Sequence, residues 1–135
     1  MTSSPPIIVA SEDRSQLLQI LAHAHGAAAG PQLDAELERA HVVPLSEVPR
    51  DVVVMNSEVE YEDEATLRRR RLRLVYPKDA DSNAGRVSVL APLGCALLGL
   101  RAEQAIDWDM PGGPRRLRVI SVTRATPDTA ELPSA

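Results

Sequence analysis

Three histidines, one cysteine and a run of four arginines are the side chains in this sequence best suited to chemistry. His23 and His25 lie two residues apart, which on a helix turns them to different faces, and His41 sits in a later segment. Imidazoles spaced in this way do not converge on one ion, so surface positions and no bound metal are expected. Cys95 falls in "SVLAPLGCALLGL" (88–100), a stretch without a charged residue. No basic neighbour is there to lower its pKa, so it reads as a small buried residue rather than a reactive thiol. A single cysteine also forms no internal disulfide.

The arginine run, Arg68 to Arg71, admits two readings, a nucleic-acid patch or one side of a paired sheet. In "SEVEYEDE", Val59 and Tyr61 alternate with Glu58, Glu60 and Glu62. In "RLRLVY", Leu72, Leu74 and Tyr76 alternate with Arg71, Arg73 and Val75. Both have the period of two that marks half-buried strands. Laid side by side, the acids of one face the bases of the other, each pair contributing about 0.2–1 kcal/mol. The chain contains no Phe, one Trp and two Tyr, too few rings for a reader that stacks bases. The sheet reading is therefore preferred. Charge is split along the chain, with 12 acids and 3 bases up to residue 66 and 7 acids and 12 bases beyond it.

The elements that must position these residues follow from the same patterns. After a polar, Pro-rich start, Ile7, Ile8 and Val9 form a short strand or an anchor. Ser11 is an N-cap, Glu12 and Asp13 suit the first turn, and Leu17, Leu18, Leu21 and Ala24 recur at helical spacing to about His23. "HGAAAGP" breaks the helix, and a second one carries Leu33, Leu37 and Ala40 to about His41. Two prolines then mark a linker. Beyond it come the two strands above, a loop "YPKDADSNAG", a strand "RVSVL", a short helix with Pro92 in its first turn, and two more strands around "PGGP". Gly94 and Cys95 are small where that helix approaches the sheet, and Gly99 ends it. The prediction is an α+β chain: an antiparallel helical hairpin over 1–43, a linker over 44–51, an antiparallel sheet of about five strands with one short helix over 52–124, and a flexible tail over 125–135.

No apolar run nears the roughly 18–20 residues of a membrane span, and the N-terminus lacks the basic start and apolar core of a signal peptide. A cytoplasmic monomer without a membrane partner is expected.

The string "AGRVSVLAPLGCALLGL", followed by "PGG" and "LRVISV", resembles the C-terminal domain of the GreA/GreB transcript cleavage factors. The further strings "IIV", "LDAELERA", "VPRDVVVMNSEVEYED" and "LVYPKDADSN" resemble the Rnk branch of that family, the regulators of nucleoside diphosphate kinase. Together they extend from about Pro6 to Thr123. The resemblance implies an FKBP-like C-terminal domain, a short N-terminal coiled coil, and docking on bacterial RNA polymerase near the mouth of its secondary channel. In that family an Asp/Asn-Ser-Pro tripeptide just before the short helix contacts the polymerase. The matching positions are Leu90, Ala91 and Pro92, followed by Leu93. Only the proline is retained, so the contact shifts from polar toward apolar.

Cleavage factors hold a catalytic Mg²⁺ with acidic residues at the tip of a long coiled coil, since hard cations require carboxylate oxygens. From Gln19 through Leu33 this chain has no Asp or Glu. No cofactor, no catalytic residue and no cleavage activity are therefore expected. An FKBP-like fold also raises prolyl isomerase activity, but Trp108, Tyr61 and Tyr76 are too few rings for its aromatic pocket, and fold alone carries no function. Two other readings stand beside polymerase binding. One is a protein- or ligand-binding module using the bases around Arg68–Arg73 and Arg115–Arg118; the other is direct, salt-sensitive DNA binding.

Overall fold

The computed structural model describes residues 7–23, 30–110 and 113–124, without the side chains of residues 31 and 108–110. A short strand β1 (Ile8–Ala10) runs straight into helix α1 (Ser11–His23), which has Glu12 and Asp13 in its first turn, where the helix dipole favours negative charge. Helix α2 spans Gly30–Arg39. The segment joining the helices, like the tail expected over 125–135, lies outside the described residues.

The second helix stops short of the expected His41. His41–Val43 instead forms strand β2, paired in parallel with β1 so that Ile8 faces His41 and Ala10 faces Val43. Two β-branched valines followed by Pro44 resist continued helix, and β1 offers their backbone partners, with the His41 N–H donating to the Ile7 carbonyl at 2.9 Å. The segment read as a linker holds a 3-10 turn at Leu45–Glu47 and buries Val48. Val48, Val52 and Val54 close on Ala10 as a small satellite core.

The five strands expected in the second half all form. They are β3 (Glu58–Asp63), β4 (Arg68–Val75), β5 (Arg86–Ser88), β6 (Ala105–Met110) and β7 (Gly113–Thr123), in the order β5-β4-β3-β7-β6. All neighbours are antiparallel except β4 and β5. Helix α3 (Pro92–Leu97) lies between β5 and β6 in the chain, with proline in its first turn as predicted. The alternation in the sequence selects one sheet face. Val59, Tyr61, Leu72 and Leu74 from β3 and β4 meet Leu117 and Val119 from β7 and Leu97 from α3 in the main core. Leu17, Leu33 and Leu37 from α1 and α2 are buried in the same cluster. The helices therefore share their core with the sheet, each buried leucine contributing about 1.5–3 kcal/mol.

Candidate functional site

The segment from Leu90 to Leu93 is fixed on both sides. Before it, the Val89 N–H donates to the Val75 carbonyl at 2.9 Å and its side chain is fully buried. The Leu90 N–H then donates to Ser88 Oγ at 2.9 Å and the Ala91 N–H to the Ser88 carbonyl at 3.0 Å. Ala91 is the N-cap of α3 in extended conformation and supplies no side-chain cap. Leu90, Ala91, Pro92 and Leu93 are all half-buried. Leu90 and Leu93 pack against the main core while keeping part of their surface in solvent. They are thus neither plain core nor free side chains.

Gly94 explains why this segment sits so tightly. A methyl group there would meet the Ser88 carbonyl oxygen at 2.2 Å and Leu74 Cδ1 at 3.0 Å, so only glycine lets α3 press on the β5 end. Cys95 follows, buried, with its thiol pushed up to about 12 by desolvation and secondarily by the charge of Glu36. It packs, as its apolar neighbours indicated. Gly99 has φ +84°, and a methyl group on it would meet Ile7 Cβ at 2.6 Å. The residue read as a helix stop is therefore also the place where the start of the chain lies against the end of α3.

The arginine run lies on β4, as the strand pattern required. Arg73 Nη2 contacts Glu58 Oε2 at 3.2 Å, and Arg69 Nε lies 3.7 Å from Glu62 Oε1. Sequence reasoning missed the contribution of β7 from the other side of β3. Arg115 pairs with Asp63, Arg118 Nε with Glu64 Oε2 at 2.9 Å, and Arg116 bridges Glu64 at 3.1 Å and Asp107 at 2.9 Å. The acidic strand is held between two basic ones, which accounts for much of the charge split. Arg68, Arg70 and Arg71 make no ion pair with any described carboxylate.

A polar seam between α1 and the sheet was also not legible. Asp13 Oδ2 accepts from the Met55 N–H at 3.1 Å, and Oδ1 from the Tyr76 hydroxyl at 3.4 Å. Burial raises the Asp13 pKa despite these bonds. Nearby, Arg124 Nη2 donates to the Pro49 carbonyl at 2.8 Å and the Val48 carbonyl at 3.3 Å. Desolvation lowers its pKa, helped by Arg50. Glu12 Oε1 accepts from the Leu45 N–H at 2.9 Å, which holds that carboxyl below its usual range.

The remaining candidates scatter. His23 Nδ1 is 3.0 Å from the Gln19 carbonyl in its own helix, His41 belongs to β2, and His25 lies outside the described residues. Among the described residues no three His, Cys, Asp or Glu side chains are grouped to hold a metal. Tyr61 and Tyr76 are core residues rather than pocket walls, and the Trp108 side chain is outside the described set. Among the described residues no helix is long and apolar enough to cross a membrane.

A helical arm whose leucines enter the core of a mostly antiparallel sheet, with a short glycine-bearing helix pressed against the end of β5, defines the class. Residues 48–124 match the family model "Transcription elongation factor, GreA/GreB, C-term", and the chain belongs to that family. Residues 5–43 match "Rnk N-terminus", which sets its branch. The chain is 44% identical over 115 residues to the "Regulator of nucleoside diphosphate kinase" of Escherichia coli strain K12, covering 82% of this chain and 83% of that one. It is 30% identical over 91 residues to "Transcription elongation factor GreA" of Azorhizobium caulinodans, covering 67% of this chain and 58% of that one. Among solved structures, a "Prokaryotic transcription elongation factor GreA/GreB" from Nitrosomonas europaea superposes with a TM-score of 0.72 at 42% identity, covering 90% of this chain and all of that one.

Proposed function

We propose that this chain is a cytoplasmic, non-catalytic regulator that binds bacterial RNA polymerase near the mouth of its secondary channel and excludes GreA and GreB factors by mass action. It acts as a monomer, with residues 52–124 as the docking unit and 1–43 as a short arm. The observation that carries this reading is the half-buried segment Leu90–Leu93. The resemblance matches it to the family's polymerase-contacting tripeptide, and its partly exposed apolar edge supports that role.

The arm supports the non-catalytic part. Its helices have 13 and 10 residues, which at 1.5 Å per residue gives about 20 and 15 Å, short for reaching down a channel. The sequence from Gln19 through Leu33 has no Asp or Glu, the side chains that hard cations such as Mg²⁺ favour.

The test is retention of core polymerase on the immobilised chain, with and without an excess of GreA. Retention that GreA displaces is the expected result. Absence of retention at low salt would give the lead to a binding module with another partner. Added to a backtracked complex, the chain should leave transcript cleavage at its intrinsic rate, and a reproducible increase would overturn the non-catalytic reading.

A further inference from the structure

The β4 strand is covered on its outer side over only part of its length. β5 pairs with Arg73–Val75, and among the described residues the strand from Arg68 to Leu72 has no outer neighbour. The Arg73 N–H points outward and donates to the Gly85 carbonyl at 2.8 Å, whereas the Leu74 N–H points inward to Ser57 at 3.0 Å. By the alternation of a strand, the backbone groups of Arg71 and Arg69 also point outward, where no strand of the described residues meets them. At the step where β5 begins, a notch of about 350 Å³ is lined by Arg71, Arg73 and Arg86 with Leu72, Ala84, Gly85 and one carboxylate, Glu58, whose charge is met by Arg73 at 3.2 Å.

Arg69 and Arg73 are paired with Glu62 and Glu58, but the other charges at this edge are not spent inside the fold. Arg68, Arg70 and Arg71 are exposed and carry no ion pair with a described carboxylate, and Glu60, the cross-strand neighbour of Arg71, makes none with it. Arg86 is held only loosely, 3.9 Å from Asp81, and is about half exposed. A row of like charges on an open edge repels a second copy of the same edge, which is how sheets avoid pairing with themselves. The same row attracts a strand of opposite charge.

We infer that the open edge of β4 from Arg68 to Leu72 is a docking site for an extended acidic peptide. The peptide adds as a strand bonded to the outward backbone groups of Arg69 and Arg71 and places a carboxylate in the Arg71/Arg86 notch. Strand addition draws affinity from backbone bonds and specificity from alternate side chains. A nucleic acid fits the site less well, because it has no amide ladder to offer the outward backbone groups of the edge. The site is separate from Leu90–Leu93, which lies beyond the opposite end of β5, so the two surfaces can be tested independently.

The probe is a fluorescein-labelled, end-capped peptide with the sequence EVEYEDE, residues 58–64 of this chain, whose alternation already complements β4 from the other side. Fluorescence anisotropy on the full chain should show saturable, salt-sensitive binding. The Arg70→Glu/Arg71→Glu variant should weaken it at least tenfold while melting at the temperature of the unaltered chain. Two further peptides, N-methylated on one or the other alternate set of amides, keep the charge but block one bonding edge each. One should bind and the other fail. Binding by both methylated peptides alike, by neither, or tighter binding of a single-stranded RNA of equal charge would overturn the proposal. Because the peptide series uses the unaltered chain, it decides the matter even if the double variant does not fold.

Discussion

Asp13, in the first turn of α1, accepts the backbone N–H of Met55 at 3.1 Å, joining residues 42 positions apart. Its other oxygen accepts the Tyr76 hydroxyl. One carboxylate thus ties the helical arm both to the approach to β3 and to the end of β4. Removing it by Asp13→Ala leaves a part-buried N–H without its acceptor and should cost about 1–3 kcal/mol. Asp13→Asn keeps an acceptor for Met55 and can donate to the tyrosine oxygen, so it should cost less than Asp13→Ala in a denaturant titration.

The same residue predicts a pH dependence. Its folded pKa is raised above the ordinary value of 3.8 by burial, so between those values the folded chain binds more protons than the unfolded one. The contribution of Asp13 is then full below the unfolded pKa and is lost as pH rises through the folded one. Comparing stability–pH curves of the parent and Asp13→Asn should show a more negative slope for the parent just above pH 4.

Gly94→Ala places a methyl group 2.2 Å from the Ser88 carbonyl oxygen, a backbone atom that has little room to yield. Overpacking of this kind costs about 1–3 kcal/mol. Thermal melting should fall by several degrees, and since α3 must shift, polymerase retention should fall with it.

Ala91 caps α3 with no side-chain acceptor. Ala91→Ser should stabilise the chain by about 0.5–2 kcal/mol, the usual difference between these residues at an N-cap. In contrast, Leu90→Asp introduces a charge on a half-buried surface. If the apolar edge is the docking contact, Leu90→Asp abolishes polymerase retention with little loss of melting temperature. A collapsed melting temperature would instead make Leu90 a core residue.

Cys95 should resist a thiol reagent in the folded chain and react stoichiometrically once the chain is denatured, since burial holds its thiol near 12 and keeps reagent out. Rapid labelling of the native protein would show that α3 opens from the sheet.

The sequence by itself determined the elements whose signals are local and periodic. Glu58–Asp63 and Arg68–Val75 were legible as paired strands because apolar and charged residues alternate with the period of a pleat, and Pro92 marked the start of α3 because proline suits a first helical turn. Charge complementarity set the whole run Arg68–Arg71 opposite the acidic strand, whereas of that run only Arg69 is paired, with Glu62, and the neighbouring Arg73 pairs with Glu58. Tertiary structure decided what depends on residues far apart in the chain. His41–Val43 became a strand only because β1 supplied a partner more than 30 residues away, and that pairing outweighed the helical spacing that had run on through Ala40. The Asp13 seam required Met55 and Tyr76 to arrive from two other elements, and no spacing rule records such a meeting. The three unpaired arginines were distinguished from the paired ones by which strand covers which edge. Local sequence fixes the period of an element, whereas its neighbours are chosen by the burial and backbone pairing of the whole chain.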